Sequence, residues 1–196
     1  VVSAVGSGAK IEIVPGVVFE SLVGAHNQAQ NLTTGFSTFA PGAQLPYHHH
    51  PYAEALTLLS GEAIVEVEGR MYALEPCDNL TIPGGLAHAA FNPSTSQAAA
   101  FHAAIPTTEP VRTPEGKFFS RRRMPADSTG QDGAERLTRY GSATRYEAGS
   151  NATCIDFFNG DLVPGVGMSG GWALFAPGGR QPAHAYDCDA SVAVVK

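Results

Sequence analysis

Apolar residues along this chain recur at every second position or in short blocks, and no long stretch repeats them at three and four. Period two marks a half-buried strand, whereas three-and-four spacing marks an amphipathic helix. Residues 11 to 23 hold two short runs broken at Pro15-Gly16, and residues 36 to 40 lead into the turn Pro41-Gly42. Residues 62 to 68 alternate most cleanly, with Ala63, Val65 and Val67 on one side and Glu62, Ile64, Glu66 and Glu68 on the other. Gly69-Arg70 then turns the chain into residues 71 to 74, which predicts a β-hairpin. Further short strands are expected at 80–82, 87–91 and 98–105. The 22 glycines and 14 prolines are spread over the whole chain, as turns between short strands require. The pattern predicts an all-β fold, an antiparallel sandwich or a small barrel.

A repeat lies beneath this pattern. Phe39-Ala40-Pro41-Gly42 returns as Phe175-Ala176-Pro177-Gly178, and His48 returns as His184, both 136 residues later. The same gapless register sets Glu20 on Asp156, Gly24 on Gly160, Gly35 on Gly171 and Phe36 on Trp172. Such self-similarity implies that one β domain has been duplicated. Lys196 then falls on Ser60, so the second copy has no counterpart of the hairpin or of the strands beyond it. The expected organisation is a barrel over 1–110, a linker over 111–140 and a partial second barrel over 141–196. Half a barrel exposes strand edges, so the natural chain is expected to continue. The linker is rich in Pro, Arg, Thr and Ser. Its triplet Arg121-Arg122-Arg123 reads as a solvated segment pairing with nearby acids rather than as an anion site.

Composition narrows the classes. Of 196 residues, 43% are hydrophobic and 15% charged, enough apolar material for a substantial core. A net charge of −6 argues against an electrostatic nucleic-acid partner and against an anionic membrane surface. No run approaches the roughly 20 apolar residues of a membrane span. Cys77, Cys154 and Cys188 are odd in number and scattered, which suits a reducing compartment. With no secretory start at the N-terminus, a cytoplasmic location is the expectation.

The chemistry concentrates in His48, His50, Glu54 and His88. Three imidazoles and a carboxylate offer a nitrogen-rich donor set to a divalent transition metal. His48, His50, Tyr52 and Glu54 share parity, so one strand through them turns all four to the same side unless Pro51 introduces a bulge. His88 and Asn92 also share a face. His49 has the opposite parity and is expected to point away. Tyr52 and His102 are candidate pocket residues, although His102 reads equally well as a structural histidine. His26 and His184 lack partners, and Cys77 and Cys188 read as packing thiols because no base is placed beside them.

These spacings resemble those of the cupin superfamily. Gly42-x5-His48-x-His50-x3-Glu54-x6-Gly61 is similar to its first signature, and Pro83-x-Gly85-x2-His88-x3-Asn92 to its second. One departure stands out: Cys77 occupies the position, six residues before the proline, where the family carries glycine. The resemblance covers about residues 36 to 106. In the repeat only its opening survives, with His184 kept, Tyr186 in place of the second histidine and Ala190 in place of the glutamate. It implies a jelly-roll β-barrel, here duplicated with a partial second copy. It also implies one bound Mn, Fe, Ni, Cu or Zn ion, with His48, His50, Glu54 and His88 as ligands, and a homodimer. The function expected is a metal-dependent enzyme acting on a small organic acid or related small-molecule substrate. Dioxygenase-type oxidation ranks first, ahead of decarboxylase, lyase, isomerase or hydrolase chemistry, and Glu54 serves as ligand or as catalytic base. The alternative is a non-catalytic cupin that binds or senses a ligand through its metal.

Overall fold

Two mainly antiparallel sheets face each other across an apolar interior, and the alternation read from the sequence decides which side chains fill it. The computed structural model describes residues 2–127 and 133–195. Ten strands build the barrel: β1 (Ala9–Val14), β2 (Val17–Val23), β3 (Thr33–Phe39), β4 (Gln44–His49), β5 (Glu54–Ser60), β6 (Ala63–Val67), β7 (Arg70–Leu74), β8 (Asn79–Ile82), β9 (His88–Phe91) and β10 (Ala99–Ile105). Three short strands follow, β11 (Thr113–Pro114), β12 (Arg122–Arg123) and β13 (Arg136–Thr138), then the long pair β14 (Tyr146–Phe158) and β15 (Gly170–Arg180). One sheet runs β1-β2-β3-β10-β5-β8-β13, the other β11-β4-β9-β6-β7-β12. The fold is all-β, a jelly-roll barrel, as the sequence pattern and the resemblance predict.

Strand alternation sorts the side chains. Leu56, Leu58, Leu80, Ile82 and Phe101 from the first sheet meet Ala63, Val65, Val67, Tyr72 and Leu74 from the second in one continuous core. Phe39 packs edge-on against Phe101, with ring centroids 5.5 Å apart. The opposite face of the first sheet presents small residues instead. Ala53, Ala55 and Ala104 receive Ile155, Phe157, Phe158, Val163 and Val166 from the C-terminal region.

The hairpin expected at residues 62–74 forms, with Val65 opposite Tyr72. Its turn is Glu68-Gly69 rather than Gly69-Arg70, and both residues are left-handed (φ 47° and 87°). That is the handedness a two-residue turn needs to match the strand twist. The polar side assigned to this segment is corrected by the structure, because every residue of β6 is buried. Glu66 lies under the segment 117–121: its carboxylate accepts from the Tyr47 hydroxyl at 3.0 Å and from Arg121 Nε at 3.2 Å. Alternation told which face is inside, but not that later chain would cover the outside.

The segment expected as a linker is tied to both sheets. β11 pairs with β4, β12 runs parallel to β7, and β13 pairs with β8. Two buried acids clamp its return. Glu135 accepts from Arg70 Nε (2.6 Å) and Nη2 (3.0 Å) and from the Tyr72 hydroxyl (2.6 Å). Asp78 takes Arg139 Nη1 at 2.6 Å and the Tyr140 amide at 2.9 Å.

β14 and β15 pair with one another, one residue out of step with the register of the repeat. In the barrel Glu20 faces Phe36, which carries over to Asp156 facing Trp172. The structure sets Asp156 against Gly171 and Ile155 against Trp172. The bulges on either side of this stretch absorb the slip.

Cys77 explains the departure from the signature. Its φ is 76°, in the left-handed region, and its amide is committed to the Leu58 carbonyl at 2.7 Å. A side chain is strained there and glycine is not. Cys77→Gly is expected to stabilise the protein by about 0.5–1 kcal/mol, seen as a higher urea midpoint at unchanged slope. Glu135→Ala removes the acceptor shared by Arg70 and Tyr72 and is expected to cost about 3 kcal/mol in the same measurement.

Candidate metal centre

The first-signature residues do not lie on one strand. β4 ends at His49, the chain turns through Pro51-Tyr52, and Glu54 opens β5 in the other sheet. Proline lacks the amide that would continue the ladder, so the corner falls there. The expectation of a single strand is therefore corrected, and a simpler geometry replaces it. His48 and His50 come from the six-stranded sheet and its edge, His88 is paired with His48 on the neighbouring strand, and Glu54 reaches in from the facing sheet. The Gly85 amide donates to the His50 carbonyl at 2.7 Å, which joins the two signatures. Gly84 must be small, because a Cβ there would lie 2.5 Å from the Pro51 carbonyl oxygen.

All four side chains meet. One ligand atom from each of His48, His50, Glu54 and His88 lies within 4.8 Å of the others. The three histidines are buried and Glu54 is partly exposed. Each imidazole is oriented in the same way: Nδ1 bonds to a backbone carbonyl two residues away. The partners are Pro46 for His48 (2.8 Å), Tyr52 for His50 (2.7 Å) and Leu86 for His88 (2.8 Å). A carbonyl only accepts, so every Nδ1 carries the proton and every Nε2 is left to face the centre. Glu54 Oε2 lies 3.4 Å from His50 Nε2 and 3.1 Å from His88 Nε2. The Nε2 of His48 is buried with no hydrogen-bond partner. Leaving such an atom unpaired costs about 1–3 kcal/mol, and a cation at the centre supplies what it lacks. The donor set and its backbone-fixed tautomers fit a divalent transition metal.

Electrostatics follow from this packing. Burial, reinforced by the neighbouring His88, pushes His48 down to about 4. At His50 burial also opposes the cation, but the hydrogen bond and charge of Glu54 outweigh it and raise the pKa above the ordinary value. Glu54 sits well below the usual carboxylate range: burial works the other way, and the hydrogen bonds and charges of His50 and His88 win.

The remaining candidates separate. The Tyr52 ring stacks on His50 at 4.7 Å and 14°, beside the cluster as expected. Its hydroxyl bonds to both the carbonyl and the amide of Val111. His102 is not brought to the cluster. Its strand neighbours Phe101 and Ala103 face the core, while His102 lies on the other face, edge-on to Phe36 at 5.9 Å. Parity within β10 carried that information, since Phe101 could only be the inward residue. His49 points away, its Nδ1 3.9 Å from Glu115. Asn92 pins a turn, donating to the carbonyls of Phe39, Ala40 and Gln97. The sequence reading missed the segment around Val111, which runs beside the site; a proline-rich stretch gave no sign of it.

Residues 35–104 match the family model described as "Cupin domain". No curated protein matches the chain. Among solved structures it is similar to the polyketide cyclase RemF from Streptomyces resistomycificus, at 19% identity and a TM-score of 0.51 over 57% of this chain and 82% of that one. It is similar to AerE from Microcystis aeruginosa at 19% identity and a TM-score of 0.51, over 76% of this chain and 58% of that one. An RmlC-like cupin from Shewanella frigidimarina matches at 20% identity and a TM-score of 0.47, over 53% of this chain and 87% of that one. At such identities the likeness to RemF and AerE bears on the fold alone.

Below the ordinary imidazole pKa of about 6.5, the unfolded chain takes up a proton at His48 that the folded chain refuses until about pH 4. The metal-free protein is therefore expected to lose about 3 kcal/mol at this residue between pH 7 and pH 4. Glu54 adds to the loss as pH falls through its depressed folded value. His50 acts in the opposite sense, its contribution being present below the ordinary pKa and lost as pH rises through the raised one. Urea unfolding across this range checks it: His48→Gln should flatten the slope between pH 6.5 and 4.

Proposed function

We propose that the cupin domain of this chain is a metal-dependent enzyme acting on a small organic acid, with oxidation as the first candidate reaction. The observation that carries the reading is the buried, unpartnered Nε2 of His48, aimed at the same point as two other imidazoles and one carboxylate. Residues arranged only to pack a core have no reason to aim three lone pairs at one place. A divalent metal bound there supplies Lewis acidity and, if redox-active, electron transfer to or from the substrate.

The chain's own residues do the rest. The carbonyls of Pro46, Tyr52 and Leu86 hold the imidazole planes, so the donors are set before any ligand arrives. Glu54 is kept ionised by His50 and His88, which suits a ligand. Service as a general base requires that hold to relax. Glu54 is also the least buried of the four, so substrate reaches the centre from its side. The buried core on the other side excludes water.

A second reading, a non-catalytic module that binds or senses a ligand through its metal, draws on the same donor set, since a filled centre need not turn a substrate over. The two readings separate on turnover. Elemental analysis of the purified protein should find close to one transition-metal ion per chain. Oxygen uptake or carbon dioxide release on adding small carboxylic acids then marks an enzyme, and binding without turnover marks a module. His50→Ala is expected to lower metal occupancy at least tenfold with the β-sheet circular dichroism unchanged. Full metal content in that variant, or a wild-type protein that takes up no divalent ion, overturns the metal-dependent reading.

A further inference from the structure

We propose that Arg112, carried on the segment that crosses beside the metal centre, is the residue that recognises the carboxylate of an incoming acid. The inference rests on the metal-dependent reading above and deepens it. The segment is fixed at successive points. The Val111 amide donates to the Tyr52 hydroxyl, which in turn donates to the Val111 carbonyl, and Tyr52 is stacked on the ligand His50. Thr113 and Pro114 pair with His49 and His48 in the ladder, and the Glu115 amide donates to the Tyr47 carbonyl at 3.0 Å. Arg112 therefore sits between two anchors that are themselves tied to the ligand strand.

Its side chain is exposed, and its backbone is held directly beside the strand that carries His48 and the turn that carries Tyr52. Among the described residues, no carboxylate lies within ion-pair distance of it. The other cations of the region are engaged, Arg121 by Glu66 and Lys117 by Glu115. An unpaired guanidinium held beside a metal centre in a protein of net charge −6 is a local attraction for anions in an otherwise repelling field. Its planar fork suits a carboxylate. An acid engaged by the centre through one end thus finds a cation for the other, which favours substrates with a second carboxylate over neutral ones.

The test is calorimetric titration of the Mn-loaded protein with malonate, with neutral malonamide as the control. Wild type is expected to bind malonate at least tenfold more tightly than malonamide, with affinity falling as salt rises. Arg112→Gln should weaken malonate about tenfold and flatten the salt dependence at unchanged metal content, and Arg112→Lys should recover part of the loss. Tyr52→Phe, which frees Val111 but keeps the charge, should weaken malonate less than Arg112→Gln does. Malonate binding within twofold of wild type in a metal-replete Arg112→Gln protein overturns the inference and leaves the metal-dependent reading intact. So does a metal-loaded wild type that binds malonate no better than malonamide. Failure of wild type to hold metal overturns the metal-dependent reading itself.

Discussion

The sharp corner between His50 and Glu54 governs the rest of the site. There the chain leaves the six-stranded sheet and enters the seven-stranded one. A strand continuing straight would keep all its side chains in one sheet, and the donors would line up rather than converge. The corner instead lets Glu54 face His48, His50 and His88 from across the barrel. It is held at its back by the Gly85 amide on the His50 carbonyl, and by a glycine at position 84 small enough to pass the Pro51 carbonyl. The same corner presents the Tyr52 carbonyl to His50 Nδ1, so the turn that brings the ligands together also sets one of their tautomers.

Buried charge elsewhere follows one rule. Glu66 and Asp78 are buried acids of the barrel and Glu135 is a buried acid of the segment that follows it, and each is met by an arginine from the other part: Arg121, Arg139 and Arg70. All three pairs fasten the segment after the barrel to the barrel itself. Removing one partner would strand a charge in a poorly solvated place, which makes such pairs costly to break even where their net contribution to stability is small. The segment is held by specific polar contacts and short ladders rather than by a core of its own. Arg112 stands apart because no carboxylate among the described residues pairs with it.

The C-terminal region repeats the barrel's grammar in part. His184 bonds through Nδ1 to the Pro182 carbonyl at 2.8 Å, just as His48 does to Pro46 at 2.8 Å, 136 residues earlier. The local turn is alike in the two places and the donors are not, since Tyr186 and Ala190 stand at the positions equivalent to His50 and Glu54. The shift in register between β14 and β15 moves each side chain along the ladder, but Ile155, Phe157 and Phe158 still reach the small-residue face formed by Ala53, Ala55 and Ala104. We propose duplication of one β domain as the origin of both features.

Much of this was legible in the residues. Period-two alternation gave the all-β class and the apolar side of β6, because a strand's two faces are fixed by the pleat. Signature spacing gave the four donors that converge, because side chains that must meet at one point tolerate little change in the chain between them. The mid-turn position of Cys77 was visible as a missing glycine, and its left-handed backbone gives the reason. Other features depend on chain that is distant in sequence. Glu66 reads as solvent-facing until residues 117–121 cover it, and residues 111–140 read as a linker until their ladders and ion pairs are seen. Local pattern records which face of a strand is apolar. Only the tertiary structure decides what lies against the other face, because that depends on contacts between segments whose separation leaves no period in the sequence.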